Sequence, residues 1–207
     1  MGGKTTKRDL IRAAAYECFR DQGYDRASVD DICKAASVSK GSFYWHYTSK
    51  QEVFTDILEV WTLEVMEQLH DQFERAVKED DYVSAITKAL EREVHRGRAI
   101  VPIWVDAMVH ARHEEGIRLA LSHFYDRIRR ALVEIFRPIL GRHLSEEELA
   151  AVAATSFGAY TGLMLQELCD PSEAEASSAL PQFMSAIRIW NQYTRAVRSD
   201  GSEGEPS

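Results

Sequence analysis

The stretch Ser28-Val-Asp-Asp-Ile-Cys-Lys-Ala-Ala-Ser-Val-Ser-Lys-Gly-Ser-Phe-Tyr-Trp-His-Tyr-Thr-Ser-Lys50 decides the fold. Ser28 is a strong helix N-cap, and Asp31 stands three residues on, the capping-box spacing in its acidic form. Val29, Ile32, Cys33 and Ala36 then recur at helical spacing and define one apolar face. Ser39 starts a second helix through Lys40, Gly41, Ser42, Phe43, Tyr44, Trp45 and His46, and only Ser37 and Val38 lie between the two. Two helices joined this tightly form a helix-turn-helix, whose second helix can enter a DNA major groove.

The second helix has suitable chemistry. Lys40 and Lys50 flank it, and Gly41 and Ser42 keep its leading edge slim, so that backbone can approach a phosphate closely. Tyr44, Trp45 and His46 add aromatic bodies with polar tips. Ser28 caps its own helix, and that helix N-terminus can also meet a phosphate. Phe43 and Tyr47 are assigned to a small core instead of the DNA side.

Charge is distributed to match. The 207 residues carry a net −8, but residues 1–50 carry +3 and the remainder −11. A basic head on an acidic body suits a protein that grips phosphate at one end only. Hydrophobic content of 45% and charged content of 28% are ordinary for a globular chain long enough to bury a core. Cys18, Cys33 and Cys169 have no disulfide or zinc spacing and read as buried thiols in a reducing, cytoplasmic setting. Met1 to Arg8 does not look like a signal peptide. The apolar-rich run Leu149 to Leu165 is shorter than a membrane span and reads as a buried helix, so no membrane partner is expected.

At this point a family likeness emerges. Ser39-Lys-Gly-Ser-Phe-Tyr-Trp-His-Tyr47, followed by Ser49, Lys50 and Glu52, closely resembles the signature of TetR-type (TetR/AcrR) transcriptional repressors, over about the first quarter of the chain. The resemblance implies that Tyr44, His46 and Lys50 grip phosphates, and that Lys40, Ser42 and Trp45 reach phosphates or base edges. It implies a homodimer on palindromic double-stranded DNA, with the last two helices of each protomer forming a four-helix bundle with the partner's pair. It also implies a small-molecule effector bound in the middle of the body and no cofactor.

The rest of the chain reads as all-α, about nine helices in total. A first helix runs Lys7 to Gln22, with Leu10, Ala13, Ala14, Cys18 and Phe19 as its buried face and Gly23 as its stop. Ser49-Lys-Gln-Glu52 is a capping box opening a long helix, striped by Val53, Phe54, Ile57, Leu58, Trp61, Val65, Leu69, Phe73 and Val77. Helices follow at about 82–96, 99–113 and 115–139. Ser145-Glu-Glu-Glu148 opens another through Leu168, and a last one spans about 178–197. The expected division is a DNA-binding domain at 1–48 (helix-turn-helix proper 28–47), an effector and dimerisation domain at 49–198, and a disordered tail at 199–207.

Effector-pocket candidates are the aromatic and thioether side chains of the body, Trp61, Trp104, Met108, Phe124, Tyr125, Phe157, Tyr160 and Met164, with His110 and His113 as polar handles. They suit an aromatic, lipid-like or cationic compound. Ala150, Ala154, Gly158 and Gly162 recur every four residues and let a second helix approach closely, and Phe183, Ile187 and Trp190 form an apolar face on the last helix. These seven are the candidate dimer interface. His110 and His113 have metal-compatible spacing but no third ligand, so no metal is expected. A single Glu67-x-x-His70 falls short of the pair a di-iron bundle needs. With no phosphate loop or nucleophile elbow either, the chain is not expected to be an enzyme. The alternative is a helical small-molecule carrier or enzyme without DNA binding.

Overall fold

The computed structural model describes residues 5–170, 179, 181–186 and 189. Among them lie eight α-helices and no strand: α1 (Lys7–Gln22), α2 (Val29–Ala35), α3 (Lys40–His46), α4 (Lys50–Ala76), α5 (Tyr82–Gly97), α6 (Val101–His110), α7 (Glu115–Leu140) and α8 (Glu146–Cys169). Residues 181–186 are also helical, inside the span expected for a ninth. The helix expected at 99–113 is instead a 3-10 turn, Arg98–Ile100, followed by α6. Pro102 accounts for the later start, because a residue without an N–H and with a fixed φ suits the first turn of a helix. The expected tail at 199–207, with Ile187 and Trp190, lies outside the described residues.

The chain packs as two units. Of the described residues, the first takes 5–65 and 99–127 and the second 66–98 and those from 128 onward, so α4 and α7 each contribute to both.

The first unit is built on caps and aromatic burial. Thr6 and Asp9 form a complete capping box on α1, as Ser28 and Asp31 do on α2. Ser39 accepts the Ser42 N–H at 3.1 Å to open α3. At α4 the box is only half made. Ser49 accepts the Glu52 N–H, but the Glu52 carboxylate turns to the N–H and hydroxyl of Thr48. The buried face of α1 is Ile11, Ala15, Cys18 and Phe19, whereas Leu10 is 46% exposed and Ala13 is exposed. A stripe shifted by one residue fits helical spacing equally well, so periodicity alone left this face ambiguous. Phe19, Tyr24 and Phe54 then pack ring to ring at 4.5–5.5 Å.

The turn between α2 and α3 is a Schellman closure. Val38 N–H donates to the Cys33 carbonyl at 3.0 Å and Ser37 N–H to that of Lys34 at 3.2 Å. Ser37 adopts φ 54°, a left-handed conformation usually given to glycine.

In the second unit Leu69, Ala76, Ile86, Ala89, Ile135, Phe136, Leu149, Ala153 and Met164 are buried. The Tyr82 hydroxyl donates to the Ile135 carbonyl at 2.6 Å. Val77, expected on the apolar stripe of α4, follows the helix end and is exposed. Cys169, expected buried, is exposed at the end of α8, whereas Cys18 and Cys33 are buried. No helix of the described residues is long and apolar enough to cross a membrane.

Two outcomes test this account. Ser37→Gly should stabilise the protein by about 1 kcal/mol, since it relieves left-handed strain at a cost in unfolded-chain entropy, and urea unfolding reads the change. At α1, hydrogen bonds from the Thr6 hydroxyl and then its backbone N–H hold the Asp9 carboxyl down at about 2 against an ordinary 3.8. A carboxyl that binds its proton more weakly when folded contributes stability above its unfolded value and loses it as pH falls through the folded one. The stability gap between the natural chain and Thr6→Ala should therefore shrink as pH drops from about 4 towards 2. A gap independent of pH would show that the Asp9 charge plays no part in the cap.

Candidate nucleic-acid interface

The seven residues of α3 are sharply two-faced. Phe43 and Tyr47, its C-cap, are fully buried, while Tyr44 is 55% and Trp45 84% exposed. Lys40 and Gly41 are exposed, and Ser42 and His46 are half-buried. Ser28 lies exposed at the start of α2. The structure thus gathers every expected DNA-contacting residue on the helix pair and the first turn of α4, within one packed unit.

Two sets of ion pairs lie at and beneath this surface. Lys40 Nζ reaches Asp30 of α2 at 2.7 Å, and that hydrogen bond raises the lysine above its ordinary range. Beneath α3, the Tyr47 hydroxyl donates to Asp56 of α4 at 2.6 Å. Arg8 and Arg12 of α1 reach the same carboxylate at 2.9 and 3.3 Å. Burial first, then the bond to Asp56, pushes the Tyr47 phenol up to about 12.

Lys50 sits in a different environment from the other basic residues. Its ammonium donates to the backbone carbonyls of Tyr24 at 2.6 Å and Asp25 at 3.4 Å, and lies 4.3 Å from the centroid of the Tyr24 ring. An ammonium has three donors, so one more bond remains to be made. Tyr24 is in turn held by α6 and by the residue preceding α7. Its N–H donates to Asp106 at 2.7 Å and its hydroxyl to Glu114 at 3.1 Å. Burial, and then the Glu114 charge, raises its phenol. Gly23, at φ +81°, makes the bend that brings this backbone to Asp106; a Cβ there would stand 3.6 Å from the carboxylate. None of these contacts is legible in one sequence, because the partners lie 25–90 residues apart.

The effector candidates fall into separate places. Trp61, Phe124, Tyr125 and Trp104 form a chain of ring contacts in the first unit, at 4.7, 5.6 and 6.4 Å. Met108 of α6 is half-buried. Trp104 Nε1 is buried without a hydrogen bond of ordinary geometry, although the indole lowers the Tyr125 phenol that burial raises. His110 stands apart from this chain of rings. It packs on Tyr24 at 4.6 Å, with Asp25 and Glu114 each 3.4 Å from a ring nitrogen. His113 is exposed. Phe157 and Tyr160 pair at 6.2 Å in the second unit, where Met164 is buried. Burial and then Glu93 push the Tyr160 phenol up to about 12. Among the described residues no cluster of three or more His, Cys, Asp or Glu could hold a metal.

The small-residue stripe of α8 is open in the single chain. Ala150, Ala154 and Gly158 are exposed and Gly162 is half-buried, and a Cβ added at either glycine would meet nothing within 4 Å. Phe183 is exposed as well. The buried helix expected over Leu149 to Leu165 is therefore buried on one side only, at Leu149, Ala153 and Met164.

Residues 11–57 match the model of bacterial regulatory proteins of the tetR family, and residues 79–188 match that of the BetI-type transcriptional repressor C-terminal region. The chain belongs to the tetR family. Its sequence is 31% identical over 122 residues to the transcriptional activator FasR of Mycolicibacterium smegmatis, covering 58% of this chain and 47% of FasR. It is 36% identical over 52 residues to IcaR, the negative transcriptional regulator of the biofilm operon in Staphylococcus epidermidis, covering 25% of this chain and 28% of IcaR. The matched stretches thus span less than half the length of these two relatives. The fold matches a solved transcriptional regulator from Rhodococcus with a TM-score of 0.74 at 20% identity, over 88% of this chain and 96% of that one.

Lys50 generates a prediction of its own. Lys50→Ala should lower stability by about 1–2 kcal/mol, because two backbone carbonyls lose a charged donor. It should also weaken duplex binding by a similar factor for every sequence and flatten the salt slope by about one unit. A loss confined to one sequence, with the slope unchanged, would remove Lys50 from the phosphate contacts.

Proposed function

We propose that this protein is a homodimeric, ligand-responsive transcriptional regulator that represses by occupying a palindromic DNA operator and leaves it when a small molecule binds its body. The observation that carries the reading is the polarity of α3, with Phe43 and Tyr47 buried and Tyr44 and Trp45 presented to the outside. Lys40, Ser42, Tyr44, His46 and Lys50, with the α2 cap at Ser28, would hold phosphates, and Gly41 would let the backbone come close. Membership of a family of bacterial regulators, with relatives that regulate transcription, favours this over a carrier or an enzyme. Such a regulator works in the cytoplasm.

One seven-residue helix gives little affinity by itself, which is a physical reason for a dimer. Two-fold symmetry would set two such helices about 34–36 Å apart, on successive turns of one DNA face. The open stripe Ala150, Ala154, Gly158 and Gly162, with Phe183, Ile187 and Trp190, is the proposed contact between protomers. We assign DNA reading to residues 1–48 and effector binding and dimerisation to 49–198. This functional boundary differs from the packing boundary, because α6 belongs with the head. An effector in the aromatic chain Trp61, Phe124, Tyr125 and Trp104 would touch α4, α6 and α7 of that same unit. It acts only by preferring the released state, and a 100-fold preference supplies about 2.7 kcal/mol.

Selection from a random duplex pool, followed by mobility shift at two salt concentrations with unlabelled competitor, tests the DNA reading. The expected result is an inverted-repeat site retained by a dimer. No enrichment at low salt would overturn the reading in favour of a carrier. A thermal-shift screen of cationic, aromatic and lipid-like compounds should then yield one that raises the melting temperature and releases the selected duplex.

A further inference from the structure

We propose that Trp45 is the apolar base reader of this protein and recognises the C5-methyl group of thymine in the major groove. The inference rests on the reading of α3 as the helix that enters DNA, and it goes further by naming the chemical group recognised.

Helical geometry sets Trp45 about 160–200° around α3 from Tyr47 and Phe43, so it stands directly opposite the buried side. Gly41 lies one turn earlier on the same ridge. No atom of the indole comes within 4 Å of the place a Gly41 Cβ would take, so the ring stands clear of the glycine. A Cβ on Gly41 would meet only Ser39 Oγ, at 3.8 Å. The outermost ridge of α3 is therefore a bare glycine followed by a large apolar ring that is 84% exposed.

A tryptophan so exposed leaves much apolar surface in water, and it has one N–H donor and no charge. Phosphate is poorly matched to it, and the neighbouring Lys40, Tyr44 and His46 suit phosphate better. Inside the major groove the one apolar group displayed by a base pair is the thymine methyl, and side-chain apolar surface contacts it. A flat ring reaching from a ridge with a slim glycine beside it can lie against that methyl without holding the backbone away.

The test uses the full-length protein and a duplex that it selects from a random pool. Each thymidine of that duplex is replaced in turn by deoxyuridine, which removes only the C5-methyl group. For the natural chain, affinity should fall about three- to tenfold at one or two positions of each half-site and stay unchanged elsewhere. Trp45→Ala should bind the thymidine and deoxyuridine duplexes equally, and Trp45→Phe should keep part of the discrimination. Since Trp45 lies on the surface, both variants should keep the helical circular dichroism and melting temperature of the natural chain. Natural protein indifferent to every deoxyuridine, or Trp45→Ala still discriminating at the same positions, overturns the assignment while leaving the DNA reading intact. A pool that yields no enriched duplex overturns the DNA reading itself.

Discussion

A helix of seven residues cannot hold its own shape in water, and that constraint governs the head of this protein. Nucleating a helix costs several fixed dihedrals for one hydrogen bond, so isolated segments under about 12–15 residues are marginal. The structure keeps α3 by anchoring both ends. Ser39 satisfies an N-terminal donor, and Phe43 and Tyr47 sink completely into the core. Tyr47 is then pinned from below by Asp56, which also gathers Arg8 and Arg12. One carboxylate thus ties α1, α3 and α4 together. The exposed side chains of α3 can serve recognition because the Ser39 cap and the buried Phe43 and Tyr47 already hold the helix.

A second tie passes through Tyr24. Its carbonyl holds Lys50 at the start of α4, its N–H is held by Asp106 of α6, and its hydroxyl is held by Glu114. Lysine in the first turn of a helix is disfavoured by the helix dipole, so these carbonyls offset an otherwise unfavourable position. The same contacts link α6 to a residue proposed to hold phosphate. Any shift of α6 must either carry the loop Gly23–Asp25 with it or break a hydrogen bond of 2.7 Å. A small displacement of α6 therefore reaches Lys50 through the head's own backbone, without bending the long helix.

The local parts of this fold were legible because their signals are local. Ser28 with Asp31 and Ser145 with Glu148 are capping pairs three residues apart, and each appears where the sequence places a helix start. The bounds of α1 and α3 follow directly. Spacing gave less where two registers satisfy one period, as with Leu10 against Ile11 on α1. It gave nothing where contacts close over distance. His110 reads as a pocket handle from its place among aromatics, yet it packs on Tyr24, 86 residues earlier. Ser37 was invisible for another reason: a left-handed residue that is not glycine leaves no compositional mark.

On the proposed reading of the head as a DNA-binding surface, charge pairing sets how it would bind. The +3 of residues 1–50 leaves out Asp56, whose carboxylate faces Arg8 and Arg12. Arg8, Arg12, Arg20 and Lys40 each lie within ion-pair distance of a carboxylate, and Lys50 is occupied by two carbonyls. Exposed pairs such as Lys40 with Asp30 are worth little and can open to a phosphate. Even so, each such exchange returns less than an unpaired cation would, and the −11 of the remaining residues repels the duplex at long range. Non-specific affinity is held down on both counts. A protein with weak sequence-independent attraction must draw its selectivity from contacts that depend on fit, and on α3 the proposed contact of that kind is Trp45.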